Sequence, residues 1–165
     1  MPDQHTLEET ERATRDTVGH LPLDFPAMHA VSSLYRAANA ARSHLTNTVL
    51  RPHGLTWTGF LVLWLLWIWD CLETRAVAES IGISKATLTG VMGTLVSRGL
   101  VDRRASEADR RLVELRLTPA GRELMTELFP AFNAAEAELV AGVPAEHLTV
   151  LTEALRSIVR TAEDG

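Results

Sequence analysis

A mainly α-helical fold with one small β-hairpin is predicted by three observations. Apolar residues recur at three-four spacing through most of the 165 residues, the signature of amphipathic helices. Between Thr74 and Val101, glycines and a serine divide the chain into two short helices and a turn. Only Leu112–Leu117, past a charged loop, changes to the alternation of a half-buried strand. A hydrophobic content of 46% with 22% charged residues is that of a globular chain with one sizeable core.

Taken in order, residues 1–25 are polar and acidic, with Pro22 and Pro26 at the end. A helix over Leu7–Val18 is compatible with them, but the segment reads as an arm. Val31, Leu34, Tyr35, Ala38, Ala41, Leu45 and Val49 then mark a helix over 27–49, stopped by Pro52 and Gly54. Thr56 is suited to cap a tryptophan-rich helix over 56–69. That helix is apolar on every side, but its 15-residue stretch is shorter than the roughly 20 residues needed to cross a bilayer. It therefore reads as the central helix of a core, with no membrane partner.

A helix over 74–81 ends at Gly82, and Ser84 caps another over 84–98, closed by Gly99 at the position following the last turn. Val77, Ile81, Ile83, Leu88 and Val91 fall where two such helices pack, and Ala78 is small at their crossing. Val101–Arg104, a polar tip over 105–110, and Leu112–Leu117 form the hairpin. Thr118-Pro119 starts a helix running to about Ala141, with a kink expected at Pro130. A last helix over 145–162 carries Leu148, Leu151, Leu155, Ile158 and Val159 on one stripe.

A helix-turn-helix followed at once by a hairpin is a winged helix-turn-helix, whose second helix enters the major groove of DNA. Charge agrees. The chain carries −5 overall, but residues 84–122 carry net +4, while 1–24, 25–83 and 123–165 carry −4, +1 and −6. The outward face of the second helix would be Ser84, Lys85, Ala86, Thr89, Gly90 and Gly93, with Thr87 at its edge. Ser84 and the helix N-terminus suit a phosphate, Lys85 a phosphate or guanine edge, Ala86 a thymine methyl, and Thr89 several base groups. Gly90 and Gly93 cost a helix roughly 1 kcal/mol each against alanine. They signal close backbone approach to DNA, or else close packing or mere tolerance. Arg103, Arg104, Arg110 and Arg111 cluster on the hairpin, where guanidinium groups suit phosphates and narrow minor grooves. Asp109 is placed to pair with a neighbouring arginine.

The runs Ser84–Thr89, Leu95–Arg103 and Asp109–Gly121, with their Asp-x-Arg and Leu-Thr-x-x-Gly marks, resemble the MarR family of regulators over about residues 28–162. The resemblance implies an obligate homodimer, a pseudopalindromic double-stranded operator, and repression relieved by a small aromatic or anionic effector. It places Arg111 in the minor groove and pairs Arg103 with Asp109. The implied domains are an acidic arm (1–25), a helical dimerisation region (26–54 and 119–165) and a DNA-binding lobe (55–118). Apolar stripes on helices at both ends of the chain agree with a dimer, although packing within one chain would also use them.

Family effectors bind between the dimerisation helices and the DNA-binding lobe. The matching residues are Asn39, Trp57, Phe60 and Trp64, the aromatics on one helix face, although such a stripe is more often core. Arg42, His44 and Asp70 are further polar candidates. Cys71 raises oxidation as an alternative switch, and a winged-helix protein-interaction module is a second alternative. No catalytic pair, phosphate loop or metal motif is present in the sequence, so neither enzyme activity nor a cofactor is expected. One cysteine and the lack of a signal-like start lead to the expectation of a reducing, cytoplasmic setting.

Overall fold

The computed structural model describes residues 5–106 and 109–164. The elements are α1 (Leu7–Val18), α2 (Phe25–Leu45), α3 (Trp57–Trp69), β1 (Cys71–Glu73), α4 (Thr74–Ile81), α5 (Lys85–Ser97), β2 (Val101–Ala105), β3 (Val113–Leu117), α6 (Pro119–Val140) and α7 (Ala145–Glu163). The chain divides into two compact units, Met1–Arg42 and Ser43–Gly165.

In the first unit, the acidic segment read as an arm is helical. Thr6 and Glu9 make a reciprocal capping box at the start of α1, satisfying two N–H groups that a helix start leaves orphaned. Val31 and Tyr35 of α2, on the predicted stripe, are exposed.

The expected 27–49 helix changes form near its end. A π-helical turn (Thr46–Leu50) and a 3₁₀ turn (Arg51–His53) follow α2, and Gly54 stops the run at φ +64°. These turns bury Val49 and Leu50, anchoring the second unit. The tryptophan-rich α3 is the core helix, with Phe60, Val62, Leu63 and Leu66 buried against residues from α5, α6 and β3. At 13 residues it is well short of a span, and no described helix is long and apolar enough to cross a membrane. Phe60 stacks on Phe132 of α6 at 4.2 Å between centroids, and Trp67 meets Phe129 at 5.4 Å. Pro130 lies inside α6, which continues past it to Val140.

Strand β1 was not expected. It makes the hairpin a three-stranded antiparallel sheet in the order β1-β3-β2, with Leu72 and Arg103 flanking Leu115. Three residues immediately before a helix leave too short a pattern for alternation to be seen. Helix α7 buries no side chain; Val150, Leu151, Leu155, Ile158 and Val159 are all exposed.

Candidate nucleic-acid interface

The turn between α4 and α5 is fixed by backbone geometry. Gly82 adopts φ +69°, a left-handed conformation that costs glycine little, and Ile83 N–H donates to the Ala78 carbonyl at 3.0 Å. Val77, Ala78 and Leu88 are buried at the crossing, and Ile81, Ile83 and Val91 pack partly buried around them. Met92 and Leu95 complete the inner face of α5. The opposite face, with Ser84, Lys85, Ala86, Thr87, Thr89, Gly90 and Gly93, is exposed as expected.

The side chains at the start of α5 are partly committed. Ser84 Oγ accepts from Thr87 N–H at 3.1 Å and lies 2.9 Å from Thr87 Oγ1, so both hydroxyls serve the cap. Thr89 donates its hydroxyl to the Lys85 carbonyl at 2.8 Å, leaving its oxygen lone pairs and methyl outward. Open space surrounds Gly90 and Gly93. Close packing inside the protein therefore does not explain either glycine.

A recess of ≈ 500 Å³ separates α4 and the start of α5 from the wing. Lys85, Thr89, Arg103 and Arg111 line it together, with Ile83 and Leu112 among its apolar residues. Fold alone could bring these four together, because 18 residues separate Lys85 from Arg103. On the wing, Asp109 accepts from Arg111 at Nε (3.0 Å), Nη2 (2.9 Å) and the backbone N–H (3.0 Å). These hydrogen bonds hold the Asp109 carboxyl below the usual aspartate range and raise the Arg111 guanidinium further. The expected Arg103–Asp109 pair is not formed. A turn of two residues puts Arg111 within bidentate reach, whereas Arg103 lies on β2 facing the recess. Arg104 pairs with Asp102 at 3.3 Å, and Arg103 and Arg110 make no ion pair among the described residues. The middle of the predicted tip, Glu107 and Ala108, lies outside the described residues.

On the sheet, Cys71 joins Glu114 and Arg116 in a polar cluster that the sequence did not show. Cys71 Sγ lies 3.2 Å from Glu114 Oε2, and Arg116 lies 3.6 Å from the same carboxylate. Desolvation first, then the Glu114 hydrogen bond, pushes the thiol above its ordinary range. Arg122 Nη2 donates to Asp70 at 2.7 Å across 52 positions, a pairing with no local sequence signal.

The predicted effector residues belong to different parts of the chain. Phe60 is only 3% exposed and belongs to the core, while Trp57 and Trp64 are half-buried around it. Asn39 is on α2 in the first unit, where its side-chain oxygen accepts from Arg42 at 3.1 Å.

The fold matches that of known proteins. The MarR family model matches residues 55–113, from just before α3 to the first residue of β3. The HTH-type transcriptional regulator YwaE of Bacillus subtilis is 34% identical over 164 residues, 96% of each chain. The chain belongs to the MarR family. AbsC of Streptomyces coelicolor, a MarR-family transcriptional regulator, superposes with TM-score 0.77 at 25% identity, covering 87% of this chain and 98% of its own. BpsR of Bordetella bronchiseptica, whose DNA binding is regulated by 6-hydroxynicotinic acid, gives TM-score 0.71 at 27% identity, covering 78% and 91%. Like these members, the protein is a DNA-binding transcriptional regulator, and its relatives are regulators rather than enzymes.

Proposed function

We propose that this MarR-family protein is a homodimeric repressor that binds a pseudopalindromic operator and leaves it when a small aromatic or anionic effector binds. The observation that carries the reading is the shared face of Lys85, Thr89, Arg103 and Arg111 beside the exposed start of α5. With α5 in the major groove, Lys85, Ala86 and Thr89 meet base edges and phosphates, and Arg111 reaches the adjacent minor groove. Ser84 and Thr87 present the helix N-terminus, Gly90 allows close approach, and Arg104 and Arg110 add phosphate attraction.

Dimerisation is supported by the uncovered apolar stripe of α7 and by exposed Val31 and Tyr35 on α2. A twofold assembly would bury such stripes and repeat the α5 face once per half-site. Acting on DNA, the repressor would work in the cytoplasm.

Regulation of BpsR by 6-hydroxynicotinic acid supports an effector of that chemistry here. Trp57 and Trp64 are the aromatic candidates to meet it, with Asn39 a polar one; Phe60 serves from within the core. The oxidation reading of Cys71 loses support, since a thiol whose pKa is raised is less thiolate and less reactive.

The test is fluorescence anisotropy on the DNA flanking the protein's own gene, titrated with 6-hydroxynicotinate and benzoate. Specific binding with a steep salt dependence, weakened by an aromatic acid and accompanied by altered tryptophan fluorescence, is expected. Binding indifferent to sequence would overturn the repressor reading. Specific binding unmoved by any aromatic acid would remove only the effector part.

A further inference from the structure

The C-terminal corner of α5 is tied down on two sides. Its backbone is closed by Arg98 N–H to the Thr94 carbonyl (3.1 Å), Gly99 N–H to Val96 (2.9 Å) and Leu100 N–H to Leu95 (3.0 Å), with Gly99 at φ +69°. From this fixed base the Arg98 guanidinium reaches back 44 and 45 positions. Nη1 donates to the Gly54 carbonyl at 2.7 Å and Nη2 to the His53 carbonyl at 2.8 Å. Those carbonyls end the 3₁₀ turn leading into α3, itself pinned by Gly54 N–H to Arg51 and Leu55 N–H to Leu50. On the other side, Thr118 donates its hydroxyl to the Gly99 carbonyl at 2.6 Å and its N–H to the Leu100 carbonyl at 3.1 Å. Gly121 lies so close that a Cβ there would overlap the Leu100 carbonyl oxygen.

We infer that Arg98 is a positioning residue for operator recognition: its fork onto the His53 and Gly54 carbonyls sets the pitch of α5 without touching DNA. The proposal rests on the DNA-binding reading of α5. A planar guanidinium with two parallel donors can hold two successive carbonyls at once, whereas an ammonium acts as a single point charge. At the far end of α5 the exposed Lys85 and Thr89 depend on that pitch, because a helix pivoting at its C-terminus displaces its N-terminus most. Specific base contacts require that placement, whereas attraction to phosphates tolerates its loss.

The experiment compares full-length wild type with Arg98→Lys and Arg98→Gln. Binding is measured to a duplex that the wild type selects from a randomised pool and to an unselected duplex of equal length. Both variants are expected to bind the selected duplex roughly tenfold more weakly. Affinity for the unselected duplex and the salt dependence should be unchanged. Amide hydrogen exchange across 85–97 should quicken in both variants, a readout that needs no DNA. Full affinity in Arg98→Lys would overturn the proposal, since charge alone would then suffice. So would a salt slope reduced by about one, the mark of a direct phosphate contact, or unchanged exchange in α5. If the wild type selects no sequence, the operator reading itself fails, while the exchange measurement still judges the Arg98 fork.

Discussion

Asp109 holds Arg111 through four hydrogen bonds, three from the guanidinium and one from the backbone N–H, while 90% of the Arg111 side chain remains exposed. The carboxylate orders the arginine at the cost of neutralising part of its charge. Ordering decides the outcome if a groove must be entered at a fixed angle. Arg111→Ala is expected to weaken operator binding by about 1–3 kcal/mol, roughly five- to 150-fold. Asp109→Ala should also weaken it, by less, although it removes a negative charge. Tighter binding in Asp109→Ala would show that charge outweighs order at the wing.

The same pair fixes a pH dependence. A carboxyl with a lowered folded pKa contributes order fully above its unfolded pKa and loses it as pH falls through the folded value. The tip should thus keep its shape through neutral pH and loosen only below the ordinary aspartate range of about 3.9. Carbon-detected NMR titration of the Asp109 carboxyl checks this, with a midpoint below that of a free aspartate expected.

Gly90 and Gly121 make opposite predictions for the same substitution. Gly90 has open space around it, so Gly90→Ala should stabilise the free protein by about 0.5–1 kcal/mol through helix propensity. It should nevertheless weaken operator binding if the DNA backbone approaches there. Gly121→Ala drives a methyl into the Leu100 carbonyl and should destabilise by about 1–3 kcal/mol. Urea unfolding of both variants, with operator titration of the first, separates tolerance from function.

Cys71 is expected to be unreactive. At pH 7 its raised pKa leaves the neutral thiol in excess, so iodoacetamide should alkylate it more slowly than glutathione. Glu114→Gln removes a carboxylate that favours the protonated thiol and should speed the reaction. Loss of operator binding after brief exposure to peroxide, prevented by Cys71→Ser, would restore the oxidation switch.

Helix α7 tests the assembly. Leu155→Asp with Ile158→Asp places two charges on the exposed stripe and is expected to yield monomers in sedimentation velocity. A dimer that survives both changes would mean that the stripe is not the interface.

Local chemistry made most of the fold legible before any coordinates. Thr56, Ser84 and Thr118 were readable as N-caps because a cap bonds within three residues; each accepts from the backbone N–H three positions on. Gly82 and Gly99 were readable because left-handed turns favour glycine, and the apolar pattern of α4 and α5 announced their packing. Four arginines in the wing gave the sign of the partner. What the sequence could not supply were pairings between distant positions. Strand β1 was too short to show a period, and Asp70–Arg122, Cys71–Glu114 and Arg98 with the His53 and Gly54 carbonyls span 43 to 52 positions. Tertiary structure also placed Phe60 in the core. By itself the sequence determined most of the helices, the hairpin and the positive charge of residues 84–122, since caps, turns and amphipathic period are properties of neighbouring residues. Only the folded chain decided which side chains share a face, because that depends on how elements far apart in sequence pack.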